Sequence, residues 1–403
     1  MRRALFTVAG EIPVSKSLAL LIIGVALASP ATADERIWLK HAEVNGKPVK
    51  LVFDSGSYGN FLSPEAFKRL GLRFVPAETK EKPGLWAGLW PGLTELSTIS
   101  LDGTKSKTAF VVLDVPDYER GKMDCEGGIG WYSLSKNVLT IEAISHTVTP
   151  LPEVTRQSLH WIRFSLSTNF GSLDLRMPIG NGGEGILCID TGASGGVSLP
   201  DAQWAKWTNS HPSTATTLST ISSPMEGFHI QAEAWAASIS FGPITLTDVP
   251  ISNESPIRAS LLGTNYPGGA NYLGTLGLAA LKRLDIVVDG VNGVAYLQPK
   301  KTPPPSYDHN RLGAVFVPTE AHTNRGVACV VADSPAYEAG VRDGDILLQV
   351  DGIACTAWSE SWLSHFHRRA GTKLKLTLER DGKTFKTTAI LRDILHPEGK
   401  KRE

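Results

Sequence analysis

The chain has 403 residues, 42% of them hydrophobic, and carries 40 basic against 40 acidic side chains, for a formal net charge of zero. That length suits two or three domains with real cores. The charge balance gives no electrostatic footprint for nucleic acid, and no long run of like charge suits an anionic membrane surface.

Arg2, Arg3 and Lys16 precede the apolar run Leu18 to Ala28, and Ala31-Thr32-Ala33 has the small side chains of a cleavage site. The run is short for a membrane span, so residues 1–33 are expected to be a secretory signal peptide. The mature chain is then exported, periplasmic or secreted, with no stable membrane span after cleavage. An uncleaved signal anchor is the alternative.

Residues 34–150 form the first unit and alternate in the manner of strands. Ile37 to Val44 and Val49 to Phe53 flank Asn45-Gly46, a strong hairpin signal. Asp54 stands at the end of the second apolar run, in Asp54-Ser55-Gly56-Ser57. A short helix is expected at Ser63-Pro64, with Ser as cap and Pro at the first helical position. Leu85 to Gly92 is a loop rich in glycine and tryptophan. Gly127-Gly128-Ile129-Gly130-Trp131 then leads through Leu134 into a strand over Asn137 to Glu142.

Residues 151–302 repeat the plan. Ser172 to Pro178 and Gly185 to Ile189 form a hairpin around Gly180-Asn181-Gly182-Gly183, and Asp190-Thr191-Gly192-Ala193 follows the apolar run Ile186 to Ile189. Pro64, Glu65 and Ala66 are answered at the same offset by Pro200, Asp201 and Ala202. Gly274-Thr275-Leu276-Gly277-Leu278 leads through Leu281 into a strand over Asp285 to Asp289. Two ordered echoes with matching surroundings point to a duplicated β-rich unit. A strand that delivers an Asp into a glycine turn, twice, brings two carboxyl groups face to face. Such a pair shares a proton, so one member acts as base and the other as acid.

Lys301-Thr302-Pro303-Pro304-Pro305 is a stiff, exposed connector. A third unit, 306–396, contains Ser334-Pro335-Ala336, Ala339-Gly340, Gly344-Asp345-Ile346-Leu347 and a hairpin turn at Asp381-Gly382. Of the four cysteines, Cys188 lies in the strand before Asp190 and is expected to be a buried small hydrophobe; a Cys329–Cys355 pair stays open. Neither they nor Cys125 show C-x-x-C or zinc spacing; no metal and no cofactor are expected.

The two halves together resemble the aspartic protease family. Asp54-Ser55-Gly56 and Asp190-Thr191-Gly192 look like its paired signatures, and Gly128-Ile129-Gly130 and Thr275-Leu276-Gly277 look like the segments that cross behind them. The short lobes are more similar to the retroviral-protease-like bacterial branch than to digestive pepsins. The resemblance implies a mostly β fold of two small closed barrels with a cleft between them. It implies Asp54 and Asp190 as the acid/base pair acting on water, with no metal and no covalent intermediate. Gly56 and Gly192 would let the backbone turn beneath the pair. Ser55 and Thr191 would bond across the lobe interface, and Ser57 and Ser194 would bond the outer carboxylate oxygens. The pepsin-like flap presents a Tyr; here Trp86 and Trp90 are the flap candidates. Gly128 stands where a larger apolar residue is usual.

The third unit resembles a PDZ domain of the bacterial, protease-associated kind, an α+β fold. Leu312-Gly313-Ala314 looks like the loop that receives a peptide's terminal carboxylate, with the peptide added as a strand. The implied function is an exported aspartic endopeptidase acting on polypeptides, its PDZ domain selecting substrate or partner. A non-catalytic peptide-binding module is the rival.

Other motif matches fail on context. Gly192-Ala193-Ser194-Gly195-Gly196 has the letters of a nucleophile elbow, but antiparallel β surroundings oppose it. Gly180 to Gly185 spells G-x-G-x-x-G before a strand rather than a helix. Ser133 to Lys136 spells S-x-x-K without a supporting signature, and His365 with His367 reads as a solvated helix face.

Overall fold

The computed structural model describes residues 36–57, 59–76, 92–101, 103–113, 125–167, 171–223, 227–254, 271–319, 322–355 and 362–395. The expected signal peptide and the flap candidates Trp86 and Trp90 lie outside them. No helix among the described residues is long and apolar enough to cross a membrane.

The fold is mostly β, and the duplication extends to strand order. In the first half the hydrogen-bonded order is Leu51–Asp54, Gly127–Gly130, Phe61–Leu62, Val111–Val112, Gly92–Thr94, Phe74–Pro76. In the second half it is Gly183–Ile189, Asn271–Leu276, Val197–Leu199, Ile244–Asn253, Gly227–Phe241, Thr216–Ser223. Along both lists the pairings run parallel, antiparallel, parallel, antiparallel, antiparallel. Each signature Asp therefore follows a strand lying parallel to its glycine-rich crossing segment.

Local chemistry accounts for the punctuation. Asn45 and Gly46 both have positive φ (50° and 75°), and Val44 pairs with Lys47 across them, as a tight hairpin turn requires. Asp381-Gly382 repeats the device between Arg380 and Lys383. The helix Pro64–Leu70 starts where the Ser63 hydroxyl accepts the Ala66 N–H at 3.1 Å, and it stops at Gly71, whose φ of 70° is left-handed. Its counterpart runs over Asp201–Ser210 after Pro200.

One expectation needs correction. The lobes are not closed barrels: each strand order runs open from end to end among the described residues. The Asn45-Gly46 hairpin does lead to Asp54: beyond Lys47–Pro48, the Val49 N–H bonds the Ala42 carbonyl (3.0 Å), the Leu39 N–H the Leu51 carbonyl (3.0 Å) and the Phe53 N–H the Ile37 carbonyl (2.8 Å). The arm passes from one sheet to the next between Pro48 and Leu51. Val138–Glu142 and Thr147–Leu151 leave the first half and extend the second half's sheet through Leu284–Asp289. Lys300 fastens the junction, its ammonium bonding Glu142 at 3.1 Å and also Asp285. One buried apolar core runs from Ile37 to Leu297 through both halves, with Phe53, Ile129, Ile141, Leu187, Leu276 and Val288 among its members. Pairing strands across the halves gains this shared burial, about 25 cal/mol per Å² of apolar surface, in place of barrel closure.

The C-terminal unit has its own core around Leu312, Phe316, Phe366 and Leu376, under the strand order Ala314–Thr319, His322–Val330, Ile346–Val350, Lys373–Arg380, Lys383–Ile390. Asp345 is 1% exposed and carries the Arg380 guanidinium at 2.7 Å. None of the four cysteines is in a disulfide, so Cys329 and Cys355 are unpaired with each other. Burial pushes the Cys355 thiol up to about 11, which holds it protonated and unreactive.

The connector docks after its prolines. Tyr307 donates its hydroxyl to Glu233 on the long strand Gly227–Phe241, and its ring lies 6.2 Å from that of Trp235. Glu233 is 4% exposed, and burial raises its carboxyl to about 7 against the lowering effect of Tyr307 and His367. Between 4.5 and about 7 the folded chain therefore binds more protons than the unfolded one. The stability this group contributes is full below 4.5 and is lost as pH rises through about 7. Glu233→Gln is expected to flatten this part of the stability curve and to raise stability at pH 8 by up to about 3 kcal/mol. Urea unfolding at several pH values reads the change.

Candidate active site

The two signature turns interlock. The Ser55 N–H donates to the Thr191 hydroxyl oxygen at 2.9 Å, and the Thr191 N–H donates to the Ser55 hydroxyl oxygen at 3.0 Å. Each hydroxyl then donates across the interface, Ser55 to the Ile189 carbonyl at 2.8 Å and Thr191 to the Phe53 carbonyl at 2.7 Å. Ser55 is 0% and Thr191 2% exposed, so these bonds form away from water, where an unmade partner is expensive. A fifth bond joins the halves, from Leu173 N–H to the Ser55 carbonyl.

Each carboxyl is held by its own turn. Asp54 Oδ1 accepts the N–H groups of Gly56 (3.0 Å) and Ser57 (3.1 Å). Asp190 Oδ1 accepts those of Gly192 (2.8 Å) and Ala193 (3.2 Å). None of these four bonds uses an Oδ2 atom. Both side chains are buried, at 4% and 0% exposure. Each carboxyl also packs on the other turn's glycine. A Cβ added to Gly56 would lie 2.3 Å from Asp190 Cγ, and one added to Gly192 would lie 2.6 Å from Asp54 Cγ. Glycine is present at these two positions because the partner's carboxyl fills the space a methyl would take. The structure thus brings Asp54, Ser55, Gly56, Asp190, Thr191 and Gly192 into one constellation.

The remaining supports differ from expectation in one respect. The Ser57 hydroxyl donates to the Gly59 carbonyl at 3.0 Å rather than to a carboxylate; it is the Ser57 backbone that bonds Asp54. In the second half, the carbonyls of Ala193 and Ser194 accept the N–H groups of Leu278 (2.7 Å) and Ala279 (3.3 Å). The matching bond in the first half runs from Trp131 N–H to the Ser57 carbonyl at 3.0 Å. The short helices Trp131–Leu134 and Leu278–Leu281 thus close the turns from behind.

Gly128 has a physical explanation. It sits across from Phe61, and a Cβ there would lie 2.3 Å from the Phe61 ring. In the second half the same pairing is Thr275 with Ser198. A large residue on the neighbouring strand has taken the volume that the crossing segment gives up. Sequence reasoning also missed Asn60. Its Oδ1 accepts the Gly130 N–H at 3.0 Å, and its Nδ2 donates to Thr108 (2.6 Å) and Ser133 (2.8 Å). That side chain fixes the crossing segment against the Asp54 turn; the only local signal is a polar residue just before the apolar pair Phe61-Leu62.

Residues 41–125 match the aspartyl protease family model, and residues 326–380 match the PDZ domain model. The chain carries an aspartyl protease domain and a PDZ domain. The first match contains Asp54 and ends before Asp190, which enters through the duplicated topology. No curated protein matches the chain.

Removing one half of the interlock is expected to loosen both turns. Thr191→Val keeps shape but strands the buried Ser55 N–H and Phe53 carbonyl. A stability loss of about 2–4 kcal/mol is expected from the two unmade bonds. Adding Ser55→Ala should cost less than the sum of the singles, because the two side chains act as one unit. Denaturant midpoints of the four proteins check both statements.

The PDZ residues predicted from sequence also have definite places. Leu312 is fully buried, and Gly313 has φ of 71°; a Cβ there would meet the Ser334 Cβ at 2.3 Å. Ala314 opens the edge strand Ala314–Thr319. His365 lies 3.7 Å from Asp351 and His367 3.4 Å from Asp308.

Proposed function

We propose that the chain is an exported aspartic endopeptidase, in which Asp54 and Asp190 activate one water to cut polypeptides and the PDZ domain selects or tethers peptide ends. The observation that carries this reading is the reciprocal packing of each carboxyl on the other turn's glycine, held by the Ser55–Thr191 interlock. Isolated turn aspartates need no such partner.

The chemistry follows from two carboxyl groups sharing one proton. The ionised member takes a proton from water as the water oxygen attacks the peptide carbonyl carbon. The protonated member gives its proton to the carbonyl oxygen, which yields a neutral gem-diol. The proton gained from water then passes to the amide nitrogen as the C–N bond breaks, and the diol returns a proton to the pair. Proton transfer of this kind contributes about 10²–10⁴-fold. Holding the substrate in line with the water supplies the rest.

The test is digestion of an unfolded protein in heavy-oxygen water, with new termini read by mass spectrometry. Internal cuts are expected, each new carboxyl carrying one solvent oxygen. Trimming from chain ends alone would contradict an endopeptidase. Absence of new termini across a wide pH range would leave a peptide-binding module in place of an enzyme.

A further inference from the structure

The carboxylate-receiving loop of the PDZ domain is already occupied, and by a residue that also holds the protease domain. Asn310 is 2% exposed and uses every hydrogen-bonding position of its side chain. Its Oδ1 accepts the N–H groups of Leu312 (2.9 Å) and Gly313 (3.2 Å), the donors a peptide's terminal carboxylate would need. Its Nδ2 donates to the Ala314 carbonyl and, across the domain boundary, to the Leu218 carbonyl, both at 2.9 Å. Its own backbone carbonyl accepts the Thr217 hydroxyl at 2.8 Å. The Thr217 partner across the hairpin is Glu233, which receives the Tyr307 hydroxyl. Two ties from residues 307–310 therefore reach one rung of the hairpin Thr216–Ser223/Gly227–Phe241. Arg311 fixes the far side of the same strap, its N–H on the Phe366 carbonyl and its guanidinium on the His367 carbonyl.

That hairpin has a counterpart. In the duplicated strand order it stands where Phe74–Pro76 and Gly92–Thr94 stand in the first half, the pair that brackets the flap candidates Trp86 and Trp90.

We propose that Asn310 is an internal plug: a peptide C-terminus entering the Leu312-Gly313 loop displaces its side chain and, in doing so, releases the second-half hairpin from the PDZ domain. The amide oxygen occupies the place of one carboxylate oxygen, so plug and ligand exclude each other. A charged acceptor makes the stronger bond to backbone N–H groups, which lets the ligand compete. Because displacement also costs the Leu218 bond, which leaves the Thr217 bond to the Asn310 backbone to hold that strand alone, occupancy of the loop and docking of the hairpin each weaken the other by the same factor. The inference rests on the PDZ part of the reading above and is independent of the dyad chemistry.

The test uses the full chain carrying Asp190→Asn, so that peptides survive, and an equimolar pool of heptapeptides ending in Ala, Val, Leu, Ile or Phe, as free acids and as C-terminal amides. The free acids are expected to bind about ten-fold more tightly to Asn310→Ala than to the chain with Asn310, the gain from removing the competing acceptor. The amides should not bind. Thr217→Val spares the loop and removes only a tie to the hairpin; it should tighten free-acid binding about three-fold. Saturating free acid should speed hydrogen exchange of backbone amides over 216–221, with Asn310 present. Equal binding of acids and amides, no binding of acids to any of the three proteins, or unchanged hairpin exchange at saturation would each overturn the proposal. Failure of the wild-type chain to cut protein would count against the dyad and leave these binding results standing.

Discussion

Asp190→Asn is expected to lower peptide-bond hydrolysis by at least about 10²-fold and up to about 10⁴-fold, the share that general acid–base transfer supplies. The substitution keeps the turn intact. An amide oxygen at the Oδ1 position still accepts the Gly192 and Ala193 N–H groups that Asp190 accepts at 2.8 and 3.2 Å. What is lost is the ability to exchange a proton with water or substrate. Asp54→Asn should act alike, because Gly56 and Ser57 hold that carboxyl in the same way. The double variant should be little worse than either single one, since a pair that works as a unit is already lost when one member is. Unfolding midpoints should move far less than activity does. Equal cleavage by wild type and either variant would remove the dyad from the mechanism.

Gly56→Ala is the second large effect. The added methyl would lie 2.3 Å from Asp190 Cγ and 2.5 and 2.6 Å from its two oxygens. No real Cβ tolerates such a contact, and both atoms belong to buried groups pinned by backbone bonds. Either the Asp190 carboxyl leaves its position or the first turn withdraws. Each movement separates the two acids, and displacement of catalytic groups on the ångström scale costs about 10²-fold. Gly192→Ala should behave in the same way toward Asp54. Gly195→Ala is the control, because a Cβ there meets nothing within 4 Å. Activity that survives Gly56→Ala and Gly192→Ala as well as it survives Gly195→Ala would show that the packed carboxyls are not the working groups.

Much of this site is legible in the sequence, because its signals are local. A strand ending in Asp and a glycine turn, a Ser-Pro helix start, and Asn-Gly or Asp-Gly hairpins each state their geometry within four residues. The duplication added weight because two weak local signals at one offset are unlikely to coincide. What stayed hidden is non-local. Nothing around Val138–Leu151 announces that those strands pair with Leu284–Asp289, because the partner strand lies far along the chain. The Phe61 ring that fills the space above Gly128 lies 67 positions away in the chain and shows only when the two strands are paired. Asn60, Asn310 and Glu233 are polar residues in sequence contexts that suggest surface; their partners come from other strands or another domain, and only those partners make burial possible.

The pH dependence of kcat/KM on a mixed peptide pool tests the shared proton most directly. A pair holding one proton gives a bell-shaped profile whose two limbs belong to the pair and not to either residue, and Asp54→Asn and Asp190→Asn each abolish it. A rate that climbs steadily into alkaline pH, or a wild-type bell that persists in either variant, would contradict a dyad of Asp54 and Asp190.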